Sequence, residues 1–111
     1  MKEGAPDITT ATGPLLRELT VLLKGLADEN RLRLLLALVD EEKTVSRLVK
    51  EMELSQPLVS HHLKELRRAL LIEMERRGPF VYCRLADPRI STLLMQWQTL
   101  TAELLGRRHR L

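Results

Sequence analysis

Apolar residues return every three or four positions along most of this 111-residue chain and change to strict alternation once, between Ile72 and Leu85. The first period is that of a helix with one buried face, the second that of a strand. The sequence therefore confines the fold to a helical body interrupted by one short β-element. Leu15, Leu16, Leu19, Leu22, Leu23 and Leu26 mark a first amphipathic helix that stops around Gly25. Asp28 reads as the N-cap of a second, with Leu32, Leu35, Leu36 and Val39 inward, Arg31 and Arg33 off that face, and the acidic run Asp40-Glu41-Glu42 at its end. Thr44 caps a short third helix bearing Val45, Leu48, Val49 and Met52, and Ser55 caps a fourth so soon afterwards that the two must cross sharply. Pro57 falls in the first turn of the fourth, where its missing N–H costs little, and the pattern predicts that this helix continues to about Leu70.

The alternating segments Ile72-Glu73-Met74-Glu75 and Phe80 to Leu85 flank the turn-forming Arg76-Arg77-Gly78-Pro79 and predict a β-hairpin. After Asp87-Pro88 a fifth helix carries Ile90, Leu93, Leu94, Trp97, Leu100, Thr101 and Leu104 at heptad-like spacing. Such a stripe beside a small core predicts pairing with a second copy of the chain. The expected dimer interface is Leu15, Leu19 and Leu22 of the first helix with Ile90, Leu93, Leu94, Trp97, Leu100 and Leu104 of the last. Residues 1 to 14 are expected to form a flexible arm, 15 to 106 a single domain and 107 to 111 a basic tail.

Composition narrows the function. Aromatic residues make up 3% of the chain, which disfavours both an aromatic-rich β-barrel and single-stranded nucleic acid binding by base stacking. The net charge is +3, but residues 1 to 55 carry 8 basic and 10 acidic groups, whereas residues 56 to 84 carry 6 and 3. A polyanion would meet the segment that starts at Gln56. The one cysteine, Cys83, can form neither an internal disulfide nor a cysteine zinc site. With no signal-like opening and no apolar run long enough to span a bilayer, a cytoplasmic protein is expected.

On a helical wheel, Val59, Leu63, Leu66 and Leu70 share one face of the fourth helix, while Pro57, Ser60, His61, Lys64 and Arg68 cluster opposite. A polar helix start with positive charge behind it suits the major groove of double-stranded DNA. Gln56 is placed to read a base edge, Ser60 and His61 to reach bases or phosphates, and Lys64 and Arg68 to neutralise phosphates. With Arg76 and Arg77 at the hairpin tip the layout is a winged helix-turn-helix, mainly α with a small β-hairpin wing, in the order four helices, hairpin, helix.

From Leu15 to Leu105 the sequence resembles the ArsR/SmtB family of small bacterial repressors. The resemblance is carried by Leu26-Ala27-Asp28-Glu29-Asn30-Arg31-Leu32-Arg33-Leu34-Leu35, by Leu54-Ser55-Gln56-Pro57-Leu58-Val59-Ser60-His61-His62-Leu63-Lys64-Glu65-Leu66, and by Gly78-Pro79-Phe80-Val81-Tyr82-Cys83-Arg84-Leu85. It implies a homodimer, formed by the first and last helices, that binds an inverted-repeat operator and represses transcription until an inducer acts. Metal-sensing relatives carry cysteines where this chain has Thr44 and Ser46, and a second site where it has Asp87, Arg89, Leu100 and Glu103. Neither set supplies the soft or imidazole ligands a zinc-type site needs, so no metal or other cofactor is expected.

The adjacent His61 and His62 diverge on the helix and do not clamp one ion; His61 is expected outward and His62 at the core's edge. His109, among Arg107, Arg108 and Arg110, complements a helix end. No phosphate loop, nucleophile elbow or paired nucleophile and base is present, which predicts a non-enzyme. Two other readings remain open at this point: a helical module that binds a protein through its leucine and Trp97 stripe, and a redox sensor acting through Cys83.

Overall fold

Asp28, Thr44, Ser55 and Asp87 each accept a hydrogen bond from a backbone N–H two or three residues ahead, donated by Arg31, Arg47, Leu58 and Arg89 respectively. Each satisfies a donor that the first helical turn leaves without a partner, and each starts a helix. In the computed structural model, which describes residues 13–109, the elements are α1 (Gly13–Leu26), α2 (Glu29–Ala37), β1 (Lys43–Thr44), α3 (Val45–Met52), α4 (Gln56–Arg68), β2 (Ile72–Arg77), β3 (Phe80–Leu85) and α5 (Pro88–Arg108).

The predicted order holds with one addition: the two residues of β1 join the hairpin as a third, antiparallel strand, giving the sheet order β1-β3-β2. Lys43 lies opposite Cys83 and Thr44 opposite Tyr82. Two residues are too few for alternation to show, which is why periodicity finds the hairpin and not this strand. Between β2 and β3, Gly78 has φ +61 and precedes a proline whose ring forbids positive φ. That combination is a type II′ hairpin turn, whose twist matches that of the strands.

The core is built from Leu34, Leu35 and Leu38 of the α2 region, Leu48 and Met52 of α3, Val59, Leu63 and Leu66 of α4, Leu71 of the turn before β2, Ile72 and Cys83 of the sheet, and Leu94 of α5. Two wheel assignments change. The inner face of α2 centres on Leu34, Leu35 and Leu38, leaving Leu32 at the surface. Leu70 is 73% exposed because α4 ends at Arg68 and Leu70 takes a left-handed φ of +65, which turns the chain toward β2. A β-unbranched side chain in this region is strained, and the tight connection holds it there.

The arm expected over residues 1 to 14 gives way at its end, since Gly13 and Pro14 form the first turn of α1; the rest of it lies outside the described residues. At the other end α5 extends to Arg108, two residues into the expected tail, and residues 110 and 111 lie outside the described set. α1 stops at Leu26, one residue past Gly25, as expected. A Cβ at Gly25 would stand 2.7 Å from the Cβ of Ala69, so glycine there lets α1 approach the end of α4.

A candidate nucleic-acid interface

The turn between α3 and α4 spans three residues. Glu53 closes α3 in the left-handed region, with φ 56 and its N–H on the carbonyl oxygen of Val49, while Leu54 packs against the core and Ser55 opens α4. This fixes α4 across α3 with Val59, His62, Leu63 and Leu66 inward. Gln56, Pro57, Ser60, His61, Lys64 and Arg68 are all exposed. Of these six, Arg68 alone has an ion pair among the described residues, with Glu65 at 3.1 Å.

The two histidines part as expected: His61 faces outward, while His62 is 8% exposed beside Leu63, with the two ring centroids 5.6 Å apart. The inner ring lies close enough to Asp28 to help hold that carboxyl below its ordinary range, after the larger effect of the hydrogen bond from the Arg31 N–H.

The two arginines expected at the wing tip sit in different surroundings. Arg76 has no ion pair or hydrogen bond among the described residues, whereas Arg77 reaches back from the base of the tip to Glu42, with Nη1 to Oε1 at 2.6 Å and Nη2 to Oε2 at 3.1 Å. Arg77 also binds Glu75 at 2.8 Å and lies 4.4 Å from the centre of the Tyr82 ring. Arg84 bridges Glu73 and Glu75 at 3.1 and 3.0 Å. The wing's other two arginines are therefore neutralised in place, and the hydrogen bonds from Arg77 hold the carboxyls of Glu42 and Glu75 below their usual range. Glu42 is the residue that sequence reasoning missed. The acidic run that contains it reads as a helix end, and its partner is 35 positions away.

The helices at the ends of the chain leave much apolar surface open. Leu15, Leu19, Leu93, Trp97, Leu100 and Leu104 are exposed, while Leu22 and Ile90 pack half-buried against the core and Leu94 belongs to it. Leu94 thus serves the folding of one chain, on the side of α5 that faces β3 and the core, and the stripe beyond it is open.

Asp87 accepts from the backbone N–H, Nε and Nη2 of Arg89 at 2.8, 3.1 and 3.0 Å. The Arg89 guanidinium and then its N–H pull the Asp87 carboxyl down to about 2. Thr44 is occupied as a cap and Ser46 is exposed on α3. Among the described residues no three His, Cys, Asp or Glu side chains converge as a metal site. Cys83 is fully buried in β3, and burial pushes its thiol up to about 11, so it carries little thiolate. Among the described residues no helix is long and apolar enough to cross a membrane.

Residues 28–73, from the cap of α2 to the first residues of β2, match the family model for bacterial regulatory proteins of the arsR family. The transcriptional activator HlyU of Vibrio cholerae is 36% identical over 74 residues, which are 67% of this chain and 68% of HlyU. The chain belongs to the ArsR family. Another relative within reach of this ArsR chain is the transcriptional repressor SmtB homolog of Synechocystis, 38% identical over 77 residues that make up 69% of the chain and 58% of the relative. The match thus spans little more than half of that repressor. The whole ArsR fold is shared with the homodimeric winged helix-turn-helix DNA-binding domain of a possible ArsR-family transcriptional regulator from Mycobacterium bovis. That solved structure is 25% identical, covers 92% of each chain and has a TM-score of 0.78.

Proposed function

We propose that this ArsR-family chain is a homodimeric, sequence-specific double-stranded DNA-binding regulator of transcription, acting as a repressor in the cytoplasm and released by a small-molecule inducer. The observation that carries the reading is the exposed row Gln56, Pro57, Ser60, His61 and Lys64 on a helix whose opposite face is locked into the core. A rigid helix presenting amide, hydroxyl and imidazole groups, with cations behind them, matches the donor and acceptor pattern of a major groove. Gln56, Ser60 and His61 specify; Lys64 and Arg76 anchor on phosphates, with Arg68 and Arg77 held back by their own carboxylates.

The open stripe of α1 and α5 supports a dimer. Leu23, Leu26, Leu32 and Trp97 line an apolar cleft of ≈ 400 Å³ on this side, and a monomer of this size gains from covering such surface. The homodimeric relative supports the same assembly; of the two curated relatives, the Synechocystis homolog is a repressor and HlyU an activator. Two reading helices would then enter successive major grooves about one helical turn apart.

Hydroxyl-radical footprinting on DNA upstream of the protein's own gene tests this reading. The expected result is two protected half-sites in phase on one face of the duplex. Uniform protection, or none on any candidate operator, would turn the assignment toward the protein-binding alternative.

A further inference from the structure

Arg31, the third residue of α2, has an unusually bare guanidinium. One Nη donates to the carbonyl oxygen of Lys24 over 3.4 Å, and Nε, shielded from solvent, has no acceptor. No carboxylate forms an ion pair with it among the described residues, although its backbone N–H serves the Asp28 cap. A guanidinium carries five donors in a fixed fork; here the Asp28 carboxylate of the α2 cap feels its charge without pairing with it, and the fork is left open to an anion.

The space beside it has the matching charge. Arg31 of α2, Lys24 of α1 and Arg68 of α4 line one cleft of ≈ 290 Å³ above Gly25 and Ala69. Glu65 is the one acid on its wall, and it is already engaged with Arg68 at 3.1 Å. Three positive and one negative side chain leave the cleft with a net charge of +2. The absence of a Cβ at Gly25 keeps its floor open and the helices close.

We propose that this cleft binds a phosphate group, with the Arg31 fork and the Lys24 ammonium as its principal donors and Arg68 closing it from the reading helix. A dianion fits the net charge, and a guanidinium beside an ammonium is a pairing suited to phosphate oxygens. The group would join α1 to the C-terminal end of α4, placing its occupancy between the proposed dimer helix and the proposed DNA-reading helix. The phosphate belongs either to a free small molecule or to the backbone of the duplex.

An NMR titration of the full chain with inorganic phosphate at constant ionic strength tests the site without DNA, so its outcome does not depend on the regulator reading. Saturable shifts of the amides around Lys24, Arg31 and Arg68 are expected, with half-saturation raised about tenfold in Lys24→Gln, the loss of one charge-assisted bond, and saturation absent in Arg31→Gln. Lys24 is exposed, so K24Q keeps the test decisive should R31Q fold poorly. A parallel salt series on duplex DNA identifies the source. A free ligand leaves the salt slope of K24Q at the wild-type value, whereas a backbone contact lowers it by about 1 in both variants with no saturation by inorganic phosphate. No saturable phosphate shift together with unchanged salt slopes would overturn the proposal, as would saturation identical in wild type, K24Q and R31Q.

Discussion

Arg77 at the base of the wing tip and Glu42 in the segment that follows α2 meet in a two-pronged ion pair, 2.6 and 3.1 Å, across 35 residues of sequence. The pair ties the hairpin to the helical body and neutralises a positive charge at the base of the wing tip. Arg76, its neighbour in sequence, has no such partner among the described residues. Two adjacent arginines are thereby given different work by their surroundings.

The difference is measurable in salt dependence. Arg76→Ala is expected to lower the slope of log K against log salt by about 1, the release of one counterion, on any duplex. Arg77→Ala should change the slope by less than half as much, because Glu42 and Glu75 already neutralise it. Equal losses of slope would show that Arg77 leaves Glu42 for phosphate when DNA arrives.

The same clamp has a pH signature. Hydrogen bonds from Arg77 hold the carboxyls of Glu42 and Glu75 below the ordinary value of 4.5. A group whose folded value is lowered contributes its stability above the unfolded value and loses it as pH falls through the folded one. Carboxyl NMR titration should place the Glu42 midpoint below 4.5 in the wild type and raise it in Arg77→Ala, with Arg84 at 3.8 Å still holding part of the shift. An unshifted midpoint in the wild type would mean that the pair does not persist in solution.

Gly25→Ala places a methyl group on the Cβ of Ala69, 2.7 Å away, and crowds Leu71 at 3.2 Å. Alanine favours a helix by up to ~1 kcal/mol, but overpacking two converging elements costs about 1–3 kcal/mol, so a net loss is expected. Urea denaturation checks the sign; a stabilised variant would mean that α1 shifts freely on the end of α4.

Much of this architecture is legible in the residues themselves. The four caps, the sharp α3 to α4 crossing and the hairpin all follow from local chemistry, because each depends on neighbours within a few positions. At Gly25 local reading finds the end of α1 but fails to find Ala69, 44 positions on, whose close approach also requires glycine there. Leu70 fails similarly, being apolar in phase with α4 but past the point where the chain must turn. The outward row of α4 is visible on a wheel, whereas the neutralisation of Arg77 and the bare guanidinium of Arg31 depend on tertiary neighbours and leave no periodic signal.

Cys83 offers a check on the inner face of the sheet. Fully buried and pushed up to about 11, the thiol should react with a disulfide reagent at pH 8 only as fast as the fold opens. Cys83→Ser, which buries a hydroxyl among apolar neighbours, is expected to cost about 1–3 kcal/mol. Labelling of the native protein at the rate of an unfolded peptide would restore a redox role for this residue.

The central claim is that α4 reads base sequence through Gln56, Ser60 and His61. Fluorescence anisotropy of wild type and Gln56→Ala, on DNA upstream of the gene and on a shuffled duplex of equal length, tests it most directly over a salt series. The account predicts a gap between the two duplexes that survives added salt in the wild type, and a gap narrowed by about 1–3 kcal/mol in the variant with its salt slope unchanged. Weak binding to both duplexes that vanishes with salt, or a gap that Gln56→Ala leaves untouched, would contradict it.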